Sequence, residues 1–259
     1  SRVKGLLIAY GSEISMLRLQ MRGVSPIVIS PLLIRDIDLS TPQSRGMIFM
    51  LFLPYILMFT AFMGGMHLAI DTTAGEKERH SLEPLLINPV PRYQIMMGKL
   101  LATAIFGMAS LVLTLIAFRI TLPYLPLAAL GVDLGLDVVA MVGILLVVTP
   151  VALMAAALLT VLATYAKSFR EAQSYMGLVI LIPMVPTLMF MSDPVKPEAS
   201  MMPIPLFSQN LLIGELVRGE AVPVQWLLYS AAGTLIFAFA LIAFAATLFN
   251  RPRVVFSDS

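Results

Sequence analysis

The amino-acid sequence predicts an all-α integral membrane protein with five transmembrane helices, from its composition, its charge balance and the placement of its charges. Of 259 residues, 59% are hydrophobic and only 12% are charged, at a mean hydropathy of +0.91. A soluble domain is roughly half apolar and about a quarter charged, so a water-soluble enzyme is excluded as the first reading. The 17 basic and 15 acidic residues leave a net charge of +2, too balanced to suggest a nucleic-acid partner. These charges leave five gaps, each able to supply the roughly 20 apolar residues that cross a hydrocarbon core about 30 Å thick. The sequence has no cysteine, which removes disulfide frameworks, thiolate metal sites and thiol nucleophiles.

Residues 1–45 carry six basic side chains: Arg2, Lys4, Arg18, Arg22, Arg35 and Arg45. They show a helical pattern to about Gln20, a Gly23/Pro26 break and a β-rich run from Ile27 to Leu39. This segment reads as the last part of an extracytoplasmic α+β domain, whose beginning, with a sixth span, lies upstream of this sequence.

Residues 46–250 read as the transmembrane domain. Span A is the 25-residue gap Gly46–Ile70, and span B extends the 19-residue gap Leu100–Phe118 to about 98–122. Span C is Val138–Ala166, span D is Ala172–Ser192, and span E occupies about 224–249 within the gap Ala221–Asn250. None shows a polar stripe of period 3.6, which fits lipid or a membrane bundle. Helix is the form that satisfies every backbone group inside a single segment in hydrocarbon. Pro150, Pro183 and Pro186 lie inside spans C and D and predict kinks. Residues 199–214 are uncharged but hold Pro203, Pro205, Gln209 and Asn210, too short and polar to span. They predict a re-entrant or interfacial helix near Ser208–Arg218, or equally an ordinary helix lying on the protein.

Orientation follows from counting Lys and Arg in alternate connections. The A–B loop has Lys77, Arg79, Arg92 and Lys99, the C–D turn Lys167 and Arg170, and the tail 251–259 Arg251 and Arg253. The opposite side has only Arg119, Lys196 and Arg218. The loop 71–97, the C–D turn and the C-terminal tail are therefore expected in the cytoplasm.

The A–B loop carries the most information. Thr73 and Glu76 stand at capping-box spacing, so a helix is expected to begin there with Glu76 and Glu78 at its positive end. Ser81 then caps a second short helix with Pro84 in its first turn, and Leu82, Leu85 and Leu86 share one face. Pro89 and Pro91 end it. A small apolar knob ringed by charges suits a groove on a partner; the alternative is that the leucines lie back on the membrane interface.

The stretch Gly75-Glu-Lys-Glu-Arg-His-Ser-Leu-Glu-Pro-Leu-Leu-Ile-Asn-Pro-Val-Pro-Arg92, followed by Gly98-Lys99, resembles the cytoplasmic loop of ABC type-2 exporter permeases. The sodium-efflux, NatB-type subgroup is nearest in pattern. Gly64-Gly65, Ala69-Ile70-Asp71, Pro205 to Leu212 and Asn250-Arg251-x-Arg253 extend the likeness over most of the chain from Ser40 onward. Two positions depart from the pattern: His80 stands where the family usually has Gly, and Ser81 where it has Thr.

The resemblance implies a membrane subunit of the bacterial inner membrane that does no chemistry itself and binds no cofactor directly. ATP and Mg would belong to a separate ATPase subunit, in keeping with the missing G-x-x-x-x-G-K-[ST] loop. It implies that Leu82, Leu85 and Leu86 dock apolarly on that subunit, and that Glu76, Lys77, Glu78, Arg79 and Glu83 fix the register ahead of Pro89. Two permease copies would pair within the bilayer, and sodium is the cargo the subgroup suggests. A stand-alone channel or secondary transporter is the alternative; it would more typically carry an intramembrane charge or internal repeat, and the sequence has neither.

His67 and Asp71, one turn apart, read as an interfacial pair rather than a proton site. The 18 methionines read as core filling rather than a soft-metal pathway. Glu215 and Arg218 read as a local ion pair. The span hydroxyls Thr60, Thr103, Thr114, Thr149, Thr160, Thr187 and Thr234 are expected to bond their own helices.

Overall fold

This computed structural model describes residues 42–81, 89–124, 136–192 and 197–249, together with Met21, with side chains from Leu51 onward. The chain divides into units of residues 1–40 and 41–259, and every helix below belongs to the second. The expected helix to Gln20 and the β-rich run Ile27–Leu39 lie outside the described residues, among which there is no strand.

Helix α1 spans Pro42–Ile70 and continues through a π-helical turn, Asp71–Gly75, into the single α-turn α2, Glu76–Glu78. Helix α3 is Arg92–Thr121 and α4 is Val138–Tyr165; α5, Phe169–Val179, and α6, Met184–Ser192, share the fourth span. A short helix α7, Phe207–Val217, precedes α8, Val224–Phe249. Five helical segments are long and apolar enough to cross a membrane, as the charge gaps predict. At 26 to 30 residues, α3, α4 and α8 reach about 40 to 45 Å, enough to cross with a turn to spare at an end. The first span starts four residues ahead of the expected Gly46, because Pro42 suits an opening helical turn, where its missing N–H is no loss.

Helix α4 is the centre: half of it is buried, more than of any other span. Ala152, Ala155, Ala156, Ala157 and Ala163 let α1, α3, α7 and α8 approach its backbone. The bulk of the core is one cluster from Leu53, Leu57 and Phe62 through Leu111 and Leu115 to Ile144, Val151 and Leu159. Prolines act differently by place. Helices α1 and α4 run on through Pro54 and Pro150, whereas Pro183 interrupts the fourth span. There Leu181 and Ile182 donate to Leu178 and Val179 at 3.1 Å, a three-residue tightening that keeps the backbone paired. Pro186 falls in the first turn of α6, where it is tolerated.

Helices α1 and α3 touch at the backbone. A Cβ on Gly65 would stand 2.5 Å from the Thr103 carbonyl oxygen, and one on Gly107 2.4 Å from that of Ala61. Helix α7 is the short helix expected near Ser208–Arg218, and it lies within the protein, packed on α1, α4, α6 and α8. Arg218 at its end pairs with Glu215 at 2.6 Å and Glu220 at 3.2 Å. Burial pushes the Glu215 carboxyl up, while its hydrogen bond with Glu215, and then Arg218, hold Glu220 down.

No helix begins at Thr73, contrary to the capping-box expectation. The chain arrives there already helical from α1, so there is no exposed first turn to cap, and Thr73 is buried inside the π turn. The helix instead ends at His80: His80 N–H donates to Lys77 O at 3.1 Å and Ser81 N–H to Glu76 O at 3.0 Å. This is the Schellman arrangement, and His80 holds its left-handed position at φ 54°. Ser81 thereby closes the preceding helix, its hydroxyl also donating to Glu76 O; the second short helix expected after it falls on residues 82–88, outside the described residues.

Four substitutions test this packing and this cap by thermal unfolding in detergent. Gly107→Val is expected to lose about 1–3 kcal/mol by forcing α1 from α3, whereas Gly98→Ala, with nothing within 4 Å, gains about 0.5–1 kcal/mol. His80→Gly is expected to gain about 1 kcal/mol by relieving the left-handed conformation, and His80→Ala to gain nothing.

Candidate functional site

The residues of the Gly75–Arg79 stretch converge on a junction of helix ends. A π turn holds one residue more than the corresponding α segment, so it rotates everything after it relative to α1. Glu76, Lys77 and Glu78 follow at about 100° steps, and each side chain reaches a different element.

Glu76 Oε2 accepts from Lys99 Nζ at 2.5 Å, and the same ammonium bonds the Thr72 carbonyl in the π turn. This ties the end of α1 to the early turns of α3. Lys77 is 6% exposed. Its Nζ donates to Thr164 O at 2.7 Å and Ala166 O at 3.1 Å, carbonyls at the C-terminal end of α4. The last carbonyls of a helix have no partner within it and carry its negative end, so a cation is the fitting cap. Glu78 Oε2 accepts from Phe169 N–H at 2.7 Å, the first amide of α5, where the positive end of a helix calls for an anion. Two neighbouring side chains of opposite sign thus cap opposite ends of consecutive helices.

The turn between those helices is braced locally. Ser168 Oγ accepts from Glu171 N–H at 3.2 Å, Glu171 Oε2 from Lys167 N–H at 2.7 Å, and Tyr175 Oη donates to Glu171 Oε1 at 2.5 Å. Arg79 closes the π turn from outside, bonding Asp71 Oδ1 at 3.0 Å and Asp71 O at 3.3 Å. Both side chains are about half exposed, so this pair is worth at most about 1 kcal/mol. Asp71 therefore pairs with Arg79, not with His67 as the sequence suggested. The His67 ring stands edge-on to Phe169, with centroids 5.6 Å apart.

Of the residues expected at a docking surface, Glu76, Lys77, Glu78 and Arg79 are brought together here, and Pro89 is exposed. Leu82, Glu83, Leu85 and Leu86 lie outside the described residues. No group of three or more potential metal ligands occurs among the described residues.

A second constellation was not anticipated. Thr60, Thr103, Thr114, Thr149 and Thr160 bond carbonyls of their own helices, as expected. Thr187 and Thr234 instead accept from Asn210 and Gln209 of α7, at 2.8 and 2.6 Å. The available signal was on α8, where Ser230, Gly233 and Thr234 share one face of an otherwise apolar span.

A family model described as ABC-2 family transporter protein matches residues 12–249. The chain is 31% identical over 256 residues to a Bacillus subtilis (strain 168) protein described as "ABC transporter permease protein NatB". The aligned region covers 96% of this chain and 66% of that relative, so the chain spans just under two thirds of its length. No solved structure matches. A match over nearly the whole chain, together with five membrane-length helices, places this protein in the ABC-2 transporter family.

Proposed function

We propose that the chain is the membrane permease subunit of an ATP-driven ABC exporter, and that the segment after α2 docks a separate ATPase subunit. The observation that carries this reading is the junction itself. Immediately before the loop whose leucines form an apolar knob in sequence, three consecutive side chains hold an early turn of α3 and the facing ends of α4 and α5. A displacement imposed on the loop by a hydrolysing partner would reach three further spans without an intervening flexible link.

In this reading Leu82, Leu85, Leu86 and Pro89 make the apolar contact, Glu83 sets its register, and Glu76, Lys77, Glu78 and Arg79 transmit it. ATP and Mg belong to the ATPase subunit. A second permease copy completes a pathway in a bacterial inner membrane, with the loop on the cytoplasmic face. Hydrolysis would then alternate that pathway between inward and outward access. Sodium is the first cargo to test. Among the described residues no Asp, Glu, Lys or Arg sits mid-span, where a charge would mark an ion path, so polar and lipophilic cargoes belong in the same flux panel.

Co-expression with an ATPase subunit tests the reading. Leu85→Asp with Leu86→Asp is expected to abolish co-purification and permease-stimulated ATP hydrolysis while the chain still inserts in the membrane. Lys77→Met is expected to keep co-purification but reduce stimulation by roughly tenfold or more, the effect of losing a contact worth about 1.4 kcal/mol in the turnover step. Full stimulation in the double Asp variant, or cargo flux in vesicles without ATP, would overturn the assignment.

A further inference from the structure

Helix α7 is held in the bundle by a buried network of neutral polar groups. Gln209 is its hub: Oε1 accepts from Leu206 N–H at 2.6 Å, and Nε2 donates to Ser230 Oγ at 2.8 Å and Thr234 Oγ1 at 2.6 Å. Ser208 Oγ lies 2.9 Å from Ser230 Oγ, and Asn210 Nδ2 donates to Thr187 Oγ1 on α6 at 2.8 Å. All six side-chain partners are at least 96% buried. Ser230 and Thr234 stand six and ten residues past Val224, about 9 and 15 Å along α8, so the network reaches toward the middle of the membrane thickness.

Apolar side chains would pack α7 equally tightly at lower risk, because a polar group left unpaired in such a place costs several kcal/mol. A polar seam has one property an apolar seam lacks. Hydrogen bonds between membrane helices contribute only about 0.6 kcal/mol on average, and a water can replace a protein partner with little loss. Wetting an apolar seam instead costs about 25 cal/mol for each Å² exposed. The polar seam is thus closed when dry and cheap to open to water.

Sharp bends flank α7 at both ends. Leu206, at its N-cap, is held at φ 66°, a left-handed conformation, and Gly219 beyond its C-terminus is at φ 73°. Pro203 and Pro205 precede it, and the Pro203 carbonyl oxygen would stand 2.0 Å from a Cβ on Gly233 of α8, a contact that glycine alone accommodates and that pins the chain to α8 just ahead of the bend.

We infer that α7 is a hinged plug, and that its polar seam on α6 and α8 parts and takes up water once in each transport cycle, on the face of the protein opposite the Asp71–Lys99 loop. This rests on the ATP-driven reading above. The hydroxyls and amides of Thr187, Ser208, Gln209, Asn210, Ser230 and Thr234 exchange one another for water as α7 swings, and re-pair when it returns.

Because the native sequence has no cysteine, Ser230→Cys introduces a single thiol of similar size. In the assembled permease–ATPase complex in lipid nanodiscs, where both faces are open to solvent, a water-soluble, lipid-impermeant maleimide is expected to label it roughly tenfold faster during ATP turnover than at rest. Thr234→Cys reads the same seam should Ser230→Cys not fold. Val90→Cys, on the exposed stretch after Pro89, separately reports docking through protection by the ATPase subunit. Thr187→Val with Asn210→Leu removes both partners of one seam bond and is expected to keep the native melting temperature or exceed it while ATP turnover falls about fivefold, because that apolar part of the seam resists wetting. Equal labelling at rest and in turnover, with Val90→Cys still protected, would overturn the seam and leave the coupling reading intact. So would native turnover in the apolar double variant. Absence of protection at Val90→Cys removes the ATP-driven reading and, with it, the cycle that opens the seam.

Discussion

A backbone polar group in hydrocarbon has no water to turn to, and leaving one unpaired costs several kcal/mol. That constraint selects helices for the charge-free stretches and then governs their irregularities. Pro183 removes an amide donor in the fourth span, and the chain responds with the three-residue bonds of Leu181 and Ile182 instead of leaving carbonyls bare. Thr60, Thr103, Thr114, Thr149 and Thr160 have hydroxyls to satisfy and turn them onto their own helices at 2.7 to 2.9 Å.

Helix ends are where the constraint is hardest to meet, since four carbonyls and four amides at the two ends have no intrahelical partner. The turn from Ala166 to Ser168 must serve two ends at once, that of α4 and that of α5. Ser168 and Glu171 satisfy part of it from within, and Lys77 and Glu78 reach in from α2 for the rest. With so few charges available, placing an adjacent pair of opposite sign here stabilises two helix dipoles and locks the direction of α2. The caps also prevent α2 from rotating independently. A turn of α2 that keeps the Lys77 bonds displaces Glu78, so α4 and α5 must follow α2 or lose a cap. The Glu76–Lys99 pair imposes the same condition on α3.

Most of this architecture was legible in the sequence, because a membrane helix is specified by composition over some 20 residues and hardly by detail. The charge gaps bound α4 to within a residue and α8 to within three residues of their ends, and the resemblance carried by the Gly75–Arg92 stretch agrees with the family match. Local devices were less legible. The spacing of Thr73 and Glu76 is the same whether the chain enters from a loop or, as here, from a helix, so a capping box was expected where a π turn occurs. A π turn costs one residue and leaves no compositional mark. His80 could be anticipated: a family glycine at that point signals a left-handed backbone, and the histidine adopts it at φ 54°. The partners of Gln209 could not, since Ser230 and Thr234 lie 21 and 25 residues away and only the tertiary fold brings them within bonding distance.

The two kinds of contact within the bundle assign stiffness and freedom to different places. Gly65 and Gly107 set α1 and α3 backbone to backbone, and a dispersion contact of this kind weakens steeply with separation. The alanine face of α4 extends that body, and Met96, Val161, Leu248 and Phe249 close it at the end nearest α2. Under the proposed coupling, a push delivered through Glu76, Lys77 and Glu78 would therefore meet a body that moves as a piece rather than one that shears. Relative motion would then appear where contacts can be exchanged instead of broken. Among the described residues, the seam of α7 is where neutral polar side chains of three helical elements meet, and it is flanked by Leu206 and Gly219, both in left-handed conformations. On the proposed cycle, rigidity at one face and exchangeable bonds at the other would be two requirements of a single device, since a soft junction would dissipate the displacement before it reached α7 and an apolar seam would not open to it.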